Sequence, residues 1–235
     1  MSKSMKNVAY TKEYLEQYND YYYKTLSPGC SIEEEREELG NGIYILSKRY
    51  SYIQQNPENP QILCRYQGSE NVIFRNDIEI HSYRTIHDFN RCTLFAHQNG
   101  HEYLFYKRDL YGYSVFDLKT GQDFSYYPAA SLPFAETETF IWCEVFYNPV
   151  NNIIAVSGCY WACPYGIILA DFTDPQNSEY IEKYGYIEEI YHSDDYEYEY
   201  EFFDWDGTDL ILRDYENHER KRIIKNEEYT TWFNK

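Results

Sequence analysis

The sequence contains no long apolar run, and this absence excludes a membrane-spanning helix. No stretch approaches the ~20 apolar residues that span a bilayer. The N-terminus, Met1–Tyr10, contains lysines that no apolar segment follows, so it lacks the pattern of a secretory signal peptide. We therefore expect a soluble cytoplasmic protein whose six cysteines stay reduced.

Basic residues are also scarce. The chain has 21 Lys and Arg against 39 Asp and Glu, which gives a net charge of −18, and its one dense basic run is Arg220–Arg222. A negative charge of this size repels nucleic acid and anionic membranes and attracts basic partners. We therefore expect no direct nucleic-acid binding and no membrane binding, and we expect any partner to be a basic protein.

Motifs that carry chemistry are missing too. There is no Gly-x-Gly-x-x-Gly, no phosphate loop and no Gly-x-Ser-x-Gly elbow. Cys159–Cys163 offers two thiols without the second pair that structural zinc needs, and Asp204–Asp209 places its glycine too early for a calcium loop. We therefore predict no cofactor and no metal, and we favour a protein that is not an enzyme.

The 29 tyrosines are the most unusual feature that is present. A tyrosine ring packs while its hydroxyl is hydrated or hydrogen-bonded, which suits strands and half-buried faces.

Residues 1–40 are predicted to form a helical segment that packs on a β-rich domain of residues 41–235, in one globular domain overall. Six positions at helical spacing predict a helix over about residues 10–25: Tyr10, Tyr14, Tyr18, Tyr21, Tyr22 and Thr25. A capping-box pattern at Ser31–Glu34 predicts a second, short helix over Ile32–Leu39.

From Gly42 onward the apolar residues alternate with period two, which is typical of strands. Turn residues, among them Gln67-Gly68 and Asp206-Gly207, separate the segments. The predicted strands are Ile43–Leu46, Asn71–Phe74, Tyr103–Tyr106, Tyr113–Leu118, Ile153–Val156, Ile167–Phe172, Tyr196–Phe203 and Leu210–Leu212. Many short strands with regular turns predict a mainly β fold.

Three units repeat the order of turn, strand, connection and second strand, at intervals of roughly 50 residues, which is near the length of propeller blades. Asp206–Leu210 and Asp117–Gly121 resemble the turn and strand-end motifs of WD40-like β-propellers. Gly158–Tyr165 resembles a segment of poorly characterised bacterial propeller-like proteins. The resemblance covers about residues 95–230 and implies an irregular propeller-like fold of repeated antiparallel hairpins. A β-sandwich or a twisted open sheet is the alternative.

The most acidic part of the chain spans residues 179–209, where 12 residues are acidic and one is basic. Strand alternation places Tyr196, Tyr198, Tyr200 and Phe202 on one face and Glu197, Glu199 and Glu201 on the other. Either this face docks a basic protein, or its charges only prevent edge pairing. The candidate acidic site residues are Asp194, Asp195, Glu197, Glu199, Glu201, Asp204 and Asp206.

Three aromatic residues, Tyr160, Trp161 and Tyr165, lie in a long connection between two predicted strands. Aromatic residues in a rigid loop are typical of binding hot spots, but they can equally cover the end of a sheet.

The acidic face and these aromatic residues together predict a non-enzymatic acidic protein-binding module, for example an immunity or inhibitor protein for a basic partner. One alternative is an enzyme or small-molecule-binding propeller with a loop-built site, with His192 and Asp194 as candidates. The other is a DNA-mimicking decoy.

Overall fold

A computed structural model describes residues 6–27, 29–56, 59–88, 91–132, 139–161, 165–177, 184–186 and 200–234. These residues are mainly β and form four antiparallel sheets with a short helix. The chain divides into two compact units. The N-terminal unit comprises Asn7–Phe95 and Glu102–Tyr127, and the C-terminal unit comprises Met1–Lys6, Ala96–His101 and Pro128–Lys235. No described helix is both long enough and apolar enough to cross a membrane.

The N-terminal unit contains one helix and two four-stranded sheets, and in each sheet the strands follow chain order. The helix is α1 (Lys12–Thr25). The first sheet contains β1 (Ser31–Gly40), β2 (Ile43–Gln55), β3 (Leu63–Arg75) and β4 (Ile78–Ile86). The second contains β5 (Cys92–Ala96), β6 (Glu102–Tyr106), β7 (Tyr113–Asp117) and β8 (Asp123–Tyr126).

The C-terminal unit also contains two sheets in meander order. The first contains β9 (Ile141–Asn148), β10 (Ile153–Cys159), β11 (Gly166–Asp171) and β12 (Tyr184–Tyr186). The second contains β13 (Tyr200–Asp206), β14 (Asp209–Asp214) and β15 (Lys221–Ile224). The remaining elements are α2 (Asn226–Tyr229) and two 3-10 turns, Ala129–Ser131 and Trp232–Asn234.

The three predicted strand pairs are confirmed, because β6 pairs with β7, β10 with β11 and β14 with β15, each antiparallel. The turns before these pairs use positive φ angles, as at Gly100 (79°), Asn152 (57°) and Gly207 (59°). Glycine and asparagine adopt positive φ angles more readily than other residues do. These turns could therefore be predicted from the sequence.

The predicted first helix is confirmed as α1, and its buried residues are Tyr14, Tyr18, Tyr22 and Thr25. The Thr11 side chain caps it by accepting a hydrogen bond from the Tyr14 backbone N–H. The Tyr18 hydroxyl donates to the Arg84 carbonyl at 2.7 Å, and the Tyr22 hydroxyl donates to the Glu70 carboxylate at 2.5 Å. Aromatic burial and these hydroxyl bonds together hold the helix on the first sheet.

The predicted second helix over Ile32–Leu39 is wrong, because these residues form the edge strand β1. β1 pairs with β2 from Ser31 opposite Ser51 to Glu38 opposite Tyr44. The Arg36 guanidinium lies 3.6 Å from the centre of the Tyr44 ring, which adds a cation–π contact across the pair. Pairing along a 13-residue neighbour outweighs the weak local preference of a capping box.

The predicted turn at Gln67-Gly68 is also wrong, since both residues lie inside β3. A Cβ at position 68 would come within 2.7 Å of the Thr85 carbonyl oxygen, so glycine permits a close approach of two strands. The turn that ends β3 is instead Asn76-Asp77, where both φ angles are positive at 50° and 64°.

The N-terminal unit buries a carboxyl group, Asp109, in the connection between β6 and β7. Its Oδ1 accepts a hydrogen bond from the Leu110 backbone N–H at 2.5 Å, and the Tyr14 hydroxyl lies 3.4 Å from its Oδ2. Burial raises the pKa of this carboxyl from 3.8 to about 7, because two hydrogen bonds offset the lost hydration only in part.

Replacing Asp109 with Asn is expected to change how stability depends on pH. The folded protein keeps a proton on Asp109 that the unfolded chain releases, so this residue lowers stability as pH rises from about 4 to about 7, by about 1.4 kcal/mol per pH unit. Urea unfolding at pH 5 and pH 8 should show that Asp109→Asn gains roughly 3 kcal/mol in free energy of unfolding, relative to the wild type, at the higher pH.

The comparison isolates Asp109 because other groups contribute equally to both proteins. One of them is His87, because burial lowers its pKa to about 4. The stability that its neutral form contributes is therefore lost as pH falls from about 6.5 to about 4. Identical pH dependence in the wild type and Asp109→Asn would contradict a protonated buried carboxyl.

Candidate functional site

A cavity of about 500 Å³ opens in the C-terminal unit. Its described lining combines five aromatic residues, two carboxylates and one serine: Phe146, Tyr165, Tyr200, Phe202, Tyr215, Glu144, Glu201 and Ser157. The cavity therefore contains two of the predicted site residues: Tyr165, from the aromatic connection, and Glu201, from the predicted acidic strand.

The β9–β10 pair supplies one wall through the alternation of its side chains. Glu144 lies opposite Ser157 and Phe146 lies opposite Ala155, so all four point to the same face. The same face continues to the buried Ile153. One face thus changes from apolar residues to a carboxylate and a hydroxyl, and the cavity opens where that change occurs.

The sheet of β13–β15 supplies the second wall. Its inner face packs against the β9–β12 sheet in a core of eight buried residues: Ile153, Ala155, Ile167, Leu169, Leu210, Leu212, Ile224 and Tyr229. Phe202 of β13 stacks on Phe146 of β9, with ring centroids 3.9 Å apart and planes 9° apart. This stack connects the two sheets beside the cavity, and Tyr200 lies on the same face of β13 as Phe202.

The predicted alternation of the acidic strand is confirmed where it is described. Tyr200 and Phe202 contribute to the core, while Glu201 projects from the other side, opposite Arg213. A bulge between Phe202 and Asp204 inserts one residue, so Asp204 returns to the same side as Glu201.

Two cations, one on β14 and one directly after β15, balance part of this acidic face. The Arg213 Nε donates to the Glu201 carboxylate at 2.8 Å, and the Lys225 ammonium lies 2.6 Å from the Asp209 carboxylate. The hydrogen bond from Lys225 holds the pKa of Asp209 below its usual value. By contrast, Asp204 and Asp206 are exposed, which leaves them accessible to a partner.

The three aromatic residues of the β10–β11 connection, Tyr160, Trp161 and Tyr165, lie in three different environments. Tyr160 packs edge-on against Phe140, with centroids 5.4 Å apart. Trp161 is 66% exposed, and Tyr165 is 61% exposed at the cavity with its hydroxyl 3.6 Å from the Cys143 Sγ. Tyr160 therefore contributes to packing, whereas Trp161 and Tyr165 offer aromatic surface to a partner.

Four of the predicted site residues, Asp194, Asp195, Glu197 and Glu199, lie outside the described residues. So does His192, which the enzymatic alternative invoked. The described segments contain no group of three or more His, Cys, Asp or Glu side chains placed to hold a metal ion.

Sequence reasoning missed the contribution of β9, which supplies Glu144 and Phe146 to the cavity. The run Ile141–Tyr147 is rich in aromatic and β-branched residues, which is a strand signal that could have found it. Tyr215 had no such signal, because it follows β14 in an irregular connection.

Comparison with known proteins finds one viral relative. The chain is 29% identical over 181 residues to an uncharacterized protein of Acanthamoeba polyphaga mimivirus. The match covers 77% of this chain and 59% of the viral protein, so the chain spans less than two thirds of that relative's length. No family model matches the chain, and no solved structure matches it.

A double-mutant cycle on Glu201 and Arg213 should give a coupling energy of about 0.5–1 kcal/mol, because the pair is about one-third exposed and water screens it. The variants are Glu201→Gln, Arg213→Gln and the double substitution, and the measurement is urea unfolding. A coupling near zero would mean that Arg213 does not hold Glu201 in solution.

Proposed function

We propose that this chain is a non-enzymatic binding module that recognises a basic protein through its C-terminal unit. The observation that carries the proposal is the cavity in which Tyr165 and Glu201 come together. Two further features of the same unit support it: the exposed ring of Trp161 and the exposed carboxylates of Asp204 and Asp206.

The chemistry of these residues fits protein recognition. Tyrosine and tryptophan contribute large contact areas at a small entropic cost, and they are enriched among the residues that dominate binding energy. A net charge of −18 would steer a basic partner toward the module and speed association at low salt. An immunity or inhibitor protein that covers the basic site of its target is one concrete form of this function.

A propeller-like organisation and a cytoplasmic location belong to the same proposal. Each of the four sheets is a meander in chain order, which is the internal order of a propeller blade, and this supports an irregular propeller. Cys30, Cys64 and Cys92 are free thiols, which fits a reducing compartment.

A second candidate function is the binding of a small molecule, which the size of the cavity favours. A volume of about 500 Å³ lies within the ~300–1,000 Å³ range that is usual for ligand pockets. Among the described residues, burial raises the pKa of Asp109 to about 7 and lowers the pKa of His87 to about 4. Both groups belong to the N-terminal unit, and neither is a described lining residue of this cavity. The cavity therefore supports binding more than catalysis.

The proposal is tested by reversing charge on two different strands by the same amount. One variant carries Asp204→Lys and Asp206→Lys on β13, and the control carries Glu33→Lys and Glu34→Lys on β1. All four native side chains are exposed, so both variants should fold. Affinity capture from lysate of the source organism, followed by mass spectrometry, identifies a bound protein, and its association rate is then measured against salt.

We expect the wild type and the β1 variant to retain a basic protein that the β13 variant loses. The β13 variant should also associate at least about tenfold more slowly at low salt, with a flatter salt dependence. Equal losses in both variants would show that net charge alone matters. Equal retention by all three proteins would remove β13 from the binding surface.

A further inference from the structure

We infer that Asn41 is a site of spontaneous deamidation, and that the carboxylate formed there weakens the attachment of the β1–β2 hairpin to β6. The inference concerns the N-terminal unit, so it does not depend on the proposed function. It rests on a comparison of the two Asn-Gly pairs of the chain, Asn41-Gly42 and Asn99-Gly100, which the fold holds in different ways.

Deamidation of an asparagine needs only water as a second reactant. The backbone nitrogen of the following residue attacks the side-chain carbon Cγ, the Cγ–Nδ2 bond breaks, and ammonia leaves with the proton of the attacking amide. Water then opens the five-membered succinimide at either carbonyl, which gives aspartate or isoaspartate. A glycine in the following position favours ring closure, because it has no Cβ to hinder the attack and leaves the backbone free to rotate.

Asn41-Gly42 forms the turn between β1 and β2, and its reacting groups are accessible. Both residues are exposed, and their φ angles are positive, at 55° and 72°, as in a type I′ turn. No described residue accepts a hydrogen bond from the Gly42 backbone N–H. Gly40, which precedes the turn, also has a positive φ angle, of 94°. A glycine on each side of Asn41 therefore allows the rotation that closes the ring, and the attacking nitrogen is open to solvent.

Asn99-Gly100 is also exposed, but hydrogen bonds hold its reacting groups. The Gly100 N–H donates to the His97 carbonyl at 3.0 Å, and the Asn99 Oδ1 accepts a hydrogen bond from the His101 N–H at 3.0 Å. The Asn99 N–H donates to the His97 Nδ1 at 3.1 Å. Ring closure at Asn99 must break the first two of these bonds. We therefore expect this pair to deamidate more slowly than Asn41-Gly42, although the exposure of the two pairs is alike.

The product of the reaction at Asn41 changes a contact between the two sheets of the N-terminal unit. The Asn41 Nδ2 donates to the Glu102 Oε1 at 3.0 Å, and Glu102 is the first residue of β6. Aspartate at position 41 lacks this donor and places a second carboxylate beside the first, where like charges repel. The Arg75 guanidinium, 3.7 Å from Glu102, offsets part of this repulsion. Because these side chains are partly exposed, water screens the rest, so we expect a local loosening of the hairpin.

The first test measures deamidation of both pairs by peptide mass spectrometry, in the folded chain and in the chain unfolded by guanidinium. Samples are incubated at neutral and at alkaline pH and are then digested at acidic pH, where the reaction is slow. In the unfolded chain the two pairs should react at similar rates. In the folded chain Asn41 should react at least about tenfold faster than Asn99, which must first break two hydrogen bonds. Alkaline pH should speed the reaction at Asn41, because the attacking nitrogen must lose its proton.

The second test uses variants that carry the aspartate product from the start. Asn41→Asp places the new carboxylate beside Glu102, and Asn99→Asp is a matched control that adds the same charge at the other Asn-Gly turn. Amide hydrogen exchange in β1 and at the start of β2 should be at least about threefold faster in Asn41→Asp than in the wild type. Combining Asn41→Asp with Glu102→Gln should reverse most of this change, and Asn99→Asp should leave these strands at the wild-type rate.

Two results would overturn the inference. The first is deamidation of Asn41 in the folded chain that is no faster than that of Asn99. The second is unchanged exchange of β1 and β2 in Asn41→Asp. Neither measurement involves a partner, so the affinity capture tests the proposed function separately.

Discussion

The packing of the β9–β12 sheet against the β13–β15 sheet is the constraint on which the candidate site depends. Phe146 and Phe202 stack across this contact, beside the buried residues that the two sheets share. The inner face of β9 and β10 then ends in Glu144 and Ser157, which cannot continue an apolar core. An open cavity that contains aromatic rings and carboxylates is the direct result of this change along one face.

The sequence predicted those parts of the fold that local chemistry determines. Alternating residues and glycine or asparagine turns identified the pairs β6–β7, β10–β11 and β14–β15, because both signals act over a few residues. It failed for β1, whose acidic sequence is compatible with a helix until β2 is available as a partner. It failed at Gly68 because its role is the close approach of Thr85, which is distant in the chain.

The candidate site was predicted only in part for the same reason. Glu201 and Tyr165 each had a visible signal, in strict alternation and in an aromatic loop, but their shared cavity depends on packing between sheets. The acidic face looked uniformly negative in the sequence, whereas Arg213 of β14 and Lys225, directly after β15, approach its carboxylates. Cross-strand neighbours of this kind fix which carboxylates stay accessible, and the spacing of acidic residues along one strand does not reveal them.

Charge and aromatic surface therefore have separate roles in this account. In the proposed function, the net charge of −18 would steer a basic partner toward the chain, and the cavity of the C-terminal unit would supply short-range contacts. Hydrogen exchange of the full chain, measured with and without the protein that affinity capture identifies, tests the proposed function most directly. A binding surface on the C-terminal unit predicts slower amide exchange in β9, β10 and β13 when the partner is bound. Slower exchange confined to β1–β4 would contradict it.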